Sequence, residues 1–535
     1  MGGLWVAHFF GKTRRPCQRR KNGLVIVIPH PAMKPPRFVR AVFFLCLVAS
    51  FARANVILPK ILGDNMVLQR AKPVYIWGTA DAGDDVSVKF AGQEKHAQPD
   101  AAGHWQVALD PLAASATPQE MTITATNTTT SASNGTTTLK NILVGEVWFC
   151  GGQSNMEYSV NAPSSSAPSA LPTDPLLAQE LQTETYPQIR LFRVQKQTRQ
   201  PEIVTDGWTD CSSDALNKFS AIGFFFARNL QHALNVPIGI VGSYWGGSRL
   251  EQWIPSEAFT RLPAFTKEAA VSPFRVDGRA VGDYYKSMIV GLAPFTLRGM
   301  LWYQGESNII ASNDGVRYAD KMQALVESWR SLWKDQDLPF YQVQIAPFLY
   351  TGRKDMLADK VTPLPHGTDE LPKLWEAQML ATRMNQVEVV PTTDLDSHFS
   401  NIHPAGKRTV GQRLSNLALT KVYGQTTPTW QGPLFDKLEI NGSQAVVHFS
   451  NTGGKLSTRD EQPPAFFEIA GTDGVFQPAT AAIAGDSVVL SNKDVAAPTS
   501  ARMGWTEIAQ PNLVNADGLP AYPFRSNSPD WHPAH

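Results

Sequence analysis

The sequence predicts an α/β fold: a parallel sheet flanked by helices on both faces, with N-terminal and C-terminal β-sandwich-like regions around it. Three observations carry this expectation. From Asn141 to about residue 425, short apolar runs alternate with longer stretches of helical spacing, as βαβ units do. Residues 55–140 instead alternate apolar and polar side chains between Gly, Pro, Asp and Asn turns, which is strand-and-turn texture. Beyond residue 426 that texture returns in "KLEINGSQAVVHFS" and "DSVVLSN". At 535 residues with 43% apolar content, the chain has core enough for two or three such units, and no internal repeat is evident.

The first 54 residues stand apart as a leader. Lys34 and Arg37 precede the apolar run in "FVRAVFFLCLVASFARAN", which ends at the small-residue site Ala52-Arg53-Ala54. This reads as a secretory signal peptide cleaved after Ala54, with Met33 as the expected true start. The run is shorter than the roughly 20 residues that cross a membrane. Residues 1–54 hold 10 Lys and Arg and no acids, leaving 38 bases against 47 acids from Asn55 onward, a net charge near −9. A mildly acidic secreted or periplasmic chain (lysosomal or extracellular in a eukaryote) is a poor partner for nucleic acid or an anionic membrane. Cys150 and Cys211 remain after the leader, and export permits but does not require their pairing. No His/Cys cluster has zinc spacing, so no metal or other cofactor is expected. Asn127 and Asn134 lie in N-x-T sequons and Asn441 in an N-x-S sequon.

In the middle region the strand-like runs are "ILVGEVWFC" (142–150), "PIGIVGSYW" (237–245), "LRGMLWYQ" (297–304), "PFYQVQIAPF" (339–348) and "VEVVPTTDL" (387–395). Between and after them come helical stretches at 219–234, 317–333, 374–386 and 407–419; Met322, Leu325, Val326 and Trp329 show the i, i+3, i+4 spacing. Active groups in an open parallel sheet gather at the carboxyl ends of strands. Four polar clusters follow such ends: "GGQSN" after Cys150, "GGSRLEQW" after Trp245, "GESN" after Gln304 and "DLDSHFSNIHP" from Asp394.

Ser154 leaves its strand through a glycine-flanked turn that exposes a hydroxyl, although G-x-S-x-M is not the G-x-S-x-G nucleophile elbow. Alone, such a turn is more often structural than catalytic. A serine nucleophile needs a base, and His403, opening a helix through Pro404, is the strongest offer, with His398 as competitor. The Ser154 N–H, a backbone N–H of Gly246-Gly247 and the Gln304 amide are candidate oxyanion donors; taken alone, Gln304 is also an ordinary strand-end polar residue, and Glu306 and Asn308 read as loop braces.

Together, "WFCGGQSNMEYSV", "GSYWGGSRLEQW", "RGMLWYQGESN" and "NIHPAGKRTVGQRL" resemble the blocks of the sialate O-acetylesterase family, a branch of the SGNH hydrolases. The upstream "LPKILGDNMVLQR" and terminal "NADGLPAYPFR" resemble that family's ends, so the likeness spans about residues 55–526 in order. The resemblance implies an SGNH-hydrolase-like catalytic domain over 141–425, between an N-terminal β domain (55–140) and a C-terminal β region (426–535). It implies a secreted, metal-free serine esterase that removes acetyl groups from sugars through an acyl-enzyme. By resemblance, Ser154 is the nucleophile, His403 the general base and acid, and Ser154 N–H, Gly246 N–H and Gln304 the oxyanion hole.

One departure is plain. SGNH enzymes commonly carry an aspartate two or three residues before the histidine, where this chain has Asn401 and Ser400. Either Asp394 or Asp396 orients His403 from the strand end, with Asp396 kept as a weak catalytic candidate, or a neutral partner does so. A sialic acid substrate brings a carboxylate, for which Arg249 is the candidate cation. Acetylated xylan or another polysaccharide is the alternative substrate, and a non-catalytic glycan-binding protein the alternative of another class. Trp148 and Trp302 read as core. The acetyl position and the oligomeric state have no signature in the sequence.

Overall fold

A computed structural model describes residues 56–131, 133–160, 185–198, 202–312, 314–351, 369–395 and 399–528. The leader, its cleavage site, Asp396 and His398 lie outside the described residues. The described residues all fall within one compact unit.

The central sheet has seven strands, numbered here in chain order: β1 (Ser133–Gly152), β2 (Tyr186–Val194), β3 (Thr205–Cys211), β4 (Ile238–Tyr244), β5 (Gly299–Tyr303), β6 (Phe340–Val343) and β7 (Val387–Val390). Their spatial order is β7-β6-β5-β1-β4-β2-β3. Every neighbouring pair is parallel except β2 with β3, which closes one edge in the antiparallel sense. The sheet is therefore mixed, a parallel sheet with one antiparallel edge strand. From Ile142 to Gly152 every residue of β1 is buried, as a central parallel strand covered on both faces requires.

Six helices matter here: α1 (Ser154–Glu157), α2 (Ala221–Leu234), α3 (Glu306–Ser312), α4 (Tyr318–Trp333), α5 (Glu370–Leu380) and α6 (Lys407–Lys421). Ser220 caps α2 by accepting from the Gly223 N–H at 3.0 Å, and Asn235 ends the helix in the left-handed conformation. Trp148 packs edge-on against Phe226 of α2 and Phe149 against Trp329 of α4, at 5.0 and 5.3 Å between ring centroids. Successive strand residues point to opposite faces, so α2 and α4 cover opposite sides of the sheet. Trp148 and Trp302 are core residues, 0% and 1% exposed.

The polar stretch 126–138 forms part of a hairpin: strand Ser115–Asn127 pairs antiparallel with the first half of β1. The second half of β1 joins the α/β sheet, so the expected boundary at 140/141 falls inside one continuous strand. The C-terminal region has two four-stranded sheets around its own cluster of Phe435, Val447, Ile469, Val488 and Phe524.

Cys150 and Cys211 are both free and buried. Cys150 lies on β1 and Cys211 on β3, with β4 and β2 between them. At about 4.8 Å per strand spacing that separation excludes a disulfide. Burial pushes both thiols up, Cys211 to about 12, so neither is a reactive thiolate.

Candidate active site

The loops after β1, β4, β5 and β7 all leave from the carboxyl end of the parallel sheet. Gly152 turns the chain out of β1 at φ 134°, and a Cβ there would stand 2.1 Å from the Tyr303 carbonyl oxygen, so the turn requires glycine. Gln153 N–H then donates to that same carbonyl at 2.9 Å, and Ser154 begins α1, half-buried. His403 comes from the loop between β7 and α6, and its Nε2 lies 2.9 Å from Ser154 Oγ. Two residues 249 apart in sequence thus stand at hydrogen-bond distance, the spacing a nucleophile and its base need.

His403 does not open the helix as expected: α6 starts at Lys407, with Gly406 as its N-cap. The histidine is held through its loop instead. Asn401 Oδ1 accepts from the His403 backbone N–H at 3.0 Å, and the Tyr158 ring lies 5.2 Å from the imidazole. Asn155 pins the loop from below: its Nδ2 donates to Ile402 O at 3.0 Å and to Glu306 Oε1, while its Oδ1 accepts from Lys407 Nζ. Both Asn155 donors and its acceptor are thereby used. Burial pushes the Glu306 carboxyl up, partly offset by the Asn155 hydrogen bond and the Lys407 charge.

Of the candidate aspartates, Asp394 is unsuited to orient His403. Both its oxygens accept from Arg413, at 2.8 and 2.6 Å, and such a bidentate pair holds the carboxylate in place.

Two of the three expected oxyanion donors are otherwise engaged. Gly246 lies against Ser154, since a Cβ on it would stand 3.3 Å from Ser154 Cβ, yet its N–H donates to Glu157 Oε2 at 2.7 Å. Gln304 is fully buried, and its Nε2 lies within bonding distance of Gln153 Oε1, Ser248 O and Asn308 Oδ1, at 3.1, 3.1 and 2.7 Å. Two hydrogens for three acceptors leave no spare donor. In this geometry Gln304 braces the loops, with Tyr318 Oη donating to its Oε1 at 2.8 Å. As the first residue of α1, Ser154 keeps an amide with no carbonyl one turn earlier to bond.

Arg249, expected near a substrate carboxylate, is 7% exposed and turned into the protein. Its Nη2 donates to Glu251 Oε1 at 2.6 Å and its Nη1 to Asp277 O at 3.1 Å. Glu251, Asp277 and Asp314 come close enough together to hold a cation, and the Lys321 ammonium fills that place at 2.5, 2.7 and 2.6 Å. Burial pushes the Glu251 carboxyl up, but Lys321 and Arg249 outweigh it and hold it below the usual range. Asn308 links the cluster to the site: its Nδ2 donates to Asp314 Oδ2 at 2.7 Å, and its Oδ1 accepts from the Leu250 N–H and from Gln304.

Asn155, Glu157, Lys196, Lys321 and Lys407 escaped the sequence reading. Lys321 alone left a signal, a charge on the apolar stripe of α4 beside Met322 and Leu325.

The family model described as "Carbohydrate esterase, sialic acid-specific acetylesterase" matches residues 144–420, which include Ser154, Gly246, Gln304 and His403. A carbohydrate acetylesterase from Xanthomonas citri superimposes with a TM-score of 0.73 at 31% identity, covering 89% of this chain and all of that one. The mouse and human sialate O-acetylesterases are each 28% identical, over 72% and 73% of this chain and 77% and 75% of their own lengths. Fold, site and likeness define a carboxylic ester hydrolase acting on O-acetyl groups of sugars. The chain belongs to the carbohydrate esterase family of sialic acid-specific acetylesterases.

Proposed function

We propose that the protein is a secreted, SGNH-type serine esterase that removes acetyl groups from O-acetylated sialic acid. The 2.9 Å contact between Ser154 Oγ and His403 Nε2 carries this reading. His403 takes the hydroxyl proton as Oγ attacks the acetyl carbonyl, and the tetrahedral oxyanion accepts from the Ser154 N–H and, once Glu157 leaves it, the Gly246 N–H. On collapse, His403 gives its proton to the departing sugar oxygen, leaving acetyl-Ser154. A water deprotonated by His403 then releases acetate and restores the serine. Asn155 and Asn401 hold the loop that carries His403, and the Tyr158 ring lies against its imidazole. Among the described residues no helix is long and apolar enough to cross a membrane; export rests on the leader in the sequence.

Acetate release from 9-O-acetylated sialic acid and from acetylated xylan, each with Ser154→Ala as control, tests the reading. The sialic acid ester is the expected better substrate, and the alanine variant should lose at least about a thousandfold on both. Faster release from xylan would replace the substrate, and a variant of undiminished activity would remove Ser154 from the mechanism.

A further inference from the structure

The Glu157 carboxylate sits on an amide that the acyl oxygen needs. Its Oε2 accepts from the Gly246 N–H at 2.7 Å, and its Oε1 meets Lys196 Nζ at 2.5 Å. Glu157 and Ser154 are three residues apart on α1 and so share a face of that turn. A Cβ placed on Gly246 would meet Glu157 Oε2 at 3.1 Å and Ser154 Cβ at 3.3 Å. The carboxylate therefore stands beside the nucleophile, in the place of an acetyl carbonyl oxygen. A negative charge there opposes the oxyanion that forms on the substrate, so it must move for the reaction to proceed.

Lys196 holds it. The ammonium, 35% exposed, lies 5.9 Å from the centroid of the half-buried Trp245 ring. Trp245 is itself stacked on Tyr284, at 4.5 Å and 10° between the ring planes. An indole braced by a second ring, with a cation over it and a nucleophile one carboxylate away, suits a sugar ring that bears an anionic group. Arg249 offers no such contact, because Glu251 and Asp277 occupy it.

We propose that Lys196 is a specificity-determining residue that exchanges partners on binding: the carboxylate of an acetylated acidic sugar takes Lys196 from Glu157, and the released Glu157 yields the Gly246 amide to the acyl oxygen. This rests on the reading of the substrate as an acetylated sialic acid and assigns the role of its carboxylate. One ion pair replaces another, so the exchange costs little net electrostatic energy. A neutral substrate leaves the pair closed and the amide occupied. Recognition of charge and assembly of the oxyanion site thereby become one event, a form of induced fit.

The test compares acetate release from 9-O-acetylated N-acetylneuraminic acid and from its C1 methyl ester, which differ only in that charge. The wild type is expected to favour the free acid. Lys196→Met should lower the acid-over-ester ratio in kcat/KM by about tenfold, mainly through KM, and Lys196→Arg should restore most of it. Glu157→Gln, which removes the occupying charge, should act in the opposite direction on the neutral ester and raise its kcat/KM. A Lys196→Met enzyme with the wild-type ratio overturns the assignment, as does a wild type that treats both compounds alike while still releasing acetate. If neither compound is hydrolysed but another acetylated sugar is, the substrate reading fails and the exchange falls with it.

Discussion

Glu306 meets Asn155 through one oxygen, and its Oε2 has no hydrogen-bond partner among the described residues. Full burial disfavours the charged form, and a neutral carboxyl keeps Oε1 as an acceptor. Glu306→Gln should then retain kcat/KM for 4-nitrophenyl acetate to within about threefold, whereas Glu306→Ala, which strands the Asn155 amide, should lose about tenfold or more. The sign with pH follows from the raised carboxyl: its contribution to stability is present below the ordinary glutamate pKa and is lost as pH rises through the raised one. Thermal melting of Glu306→Gln should therefore gain more over wild type at alkaline than at acidic pH. At this scale the sequence was legible in part. Ser154 and His403 could be picked out by residue type after strand ends, and the structure sets them 2.9 Å apart. Which amide donor is free depends on contacts distant in sequence, as between Gly246 and Glu157, and which cation faces solvent depends on how a loop folds back, as Arg249 does onto Glu251 and Asp277. That is why Gly246, Gln304 and Arg249 read as available and are engaged instead.

Between elements, the cluster on Lys321 ties α4 to the loops after β4 and β5. The ammonium is fully buried among Glu251, Asp277 and Asp314, and Asn308 passes the arrangement on to Leu250 and Gln304. Removing one partner of a buried pair strands the others, at about 3–5 kcal/mol. Lys321→Met should lose about that much in denaturant unfolding, with activity falling in the same preparation. Burial raises the Glu251 and Asp277 carboxyls, but Lys321 and its neighbours hold both below the ordinary range. Their contribution is thus present above the unfolded carboxylate pKa and is lost as pH falls. The variant's stability should accordingly depend less on acid than the wild type's does. Helices α2, α4, α5 and α6 were readable from their spacing, and strands β1, β4, β5, β6 and β7 from apolar runs, whereas β2 and β3 were not. The place of His403 was not readable either, because Pro404 mimics a helix opening while the loop runs on to Gly406 before α6 begins at Lys407.

Over the whole molecule, β1 joins what composition alone divides. Its first half pairs in the N-terminal hairpin and its second half forms the middle of the α/β sheet, ending two residues before Ser154. Glu146 on this strand is fully buried and paired with Arg70 at 2.6 Å and Arg298 at 2.7 Å, binding the N-terminal segment to the next strand of the sheet. Texture revealed the succession β, α/β, β, since each has its own hydrophobic period. A continuous strand crossing the texture change leaves no such mark. The C-terminal region in turn touches β7 through Tyr522 Oη on Val389 O at 2.8 Å and α5 through Arg525 on Glu376. This frame presents the Ser154 hydroxyl and the His403 imidazole at the sheet rim, and the central claim is that acetyl groups pass through that hydroxyl. Rapid-quench mass spectrometry of the enzyme during turnover of an acetyl ester tests it most directly. The account requires one acetyl group per chain on the peptide bearing Ser154, formed and lost at the rate of turnover. Acetate release with Ser154 unmodified throughout would contradict it.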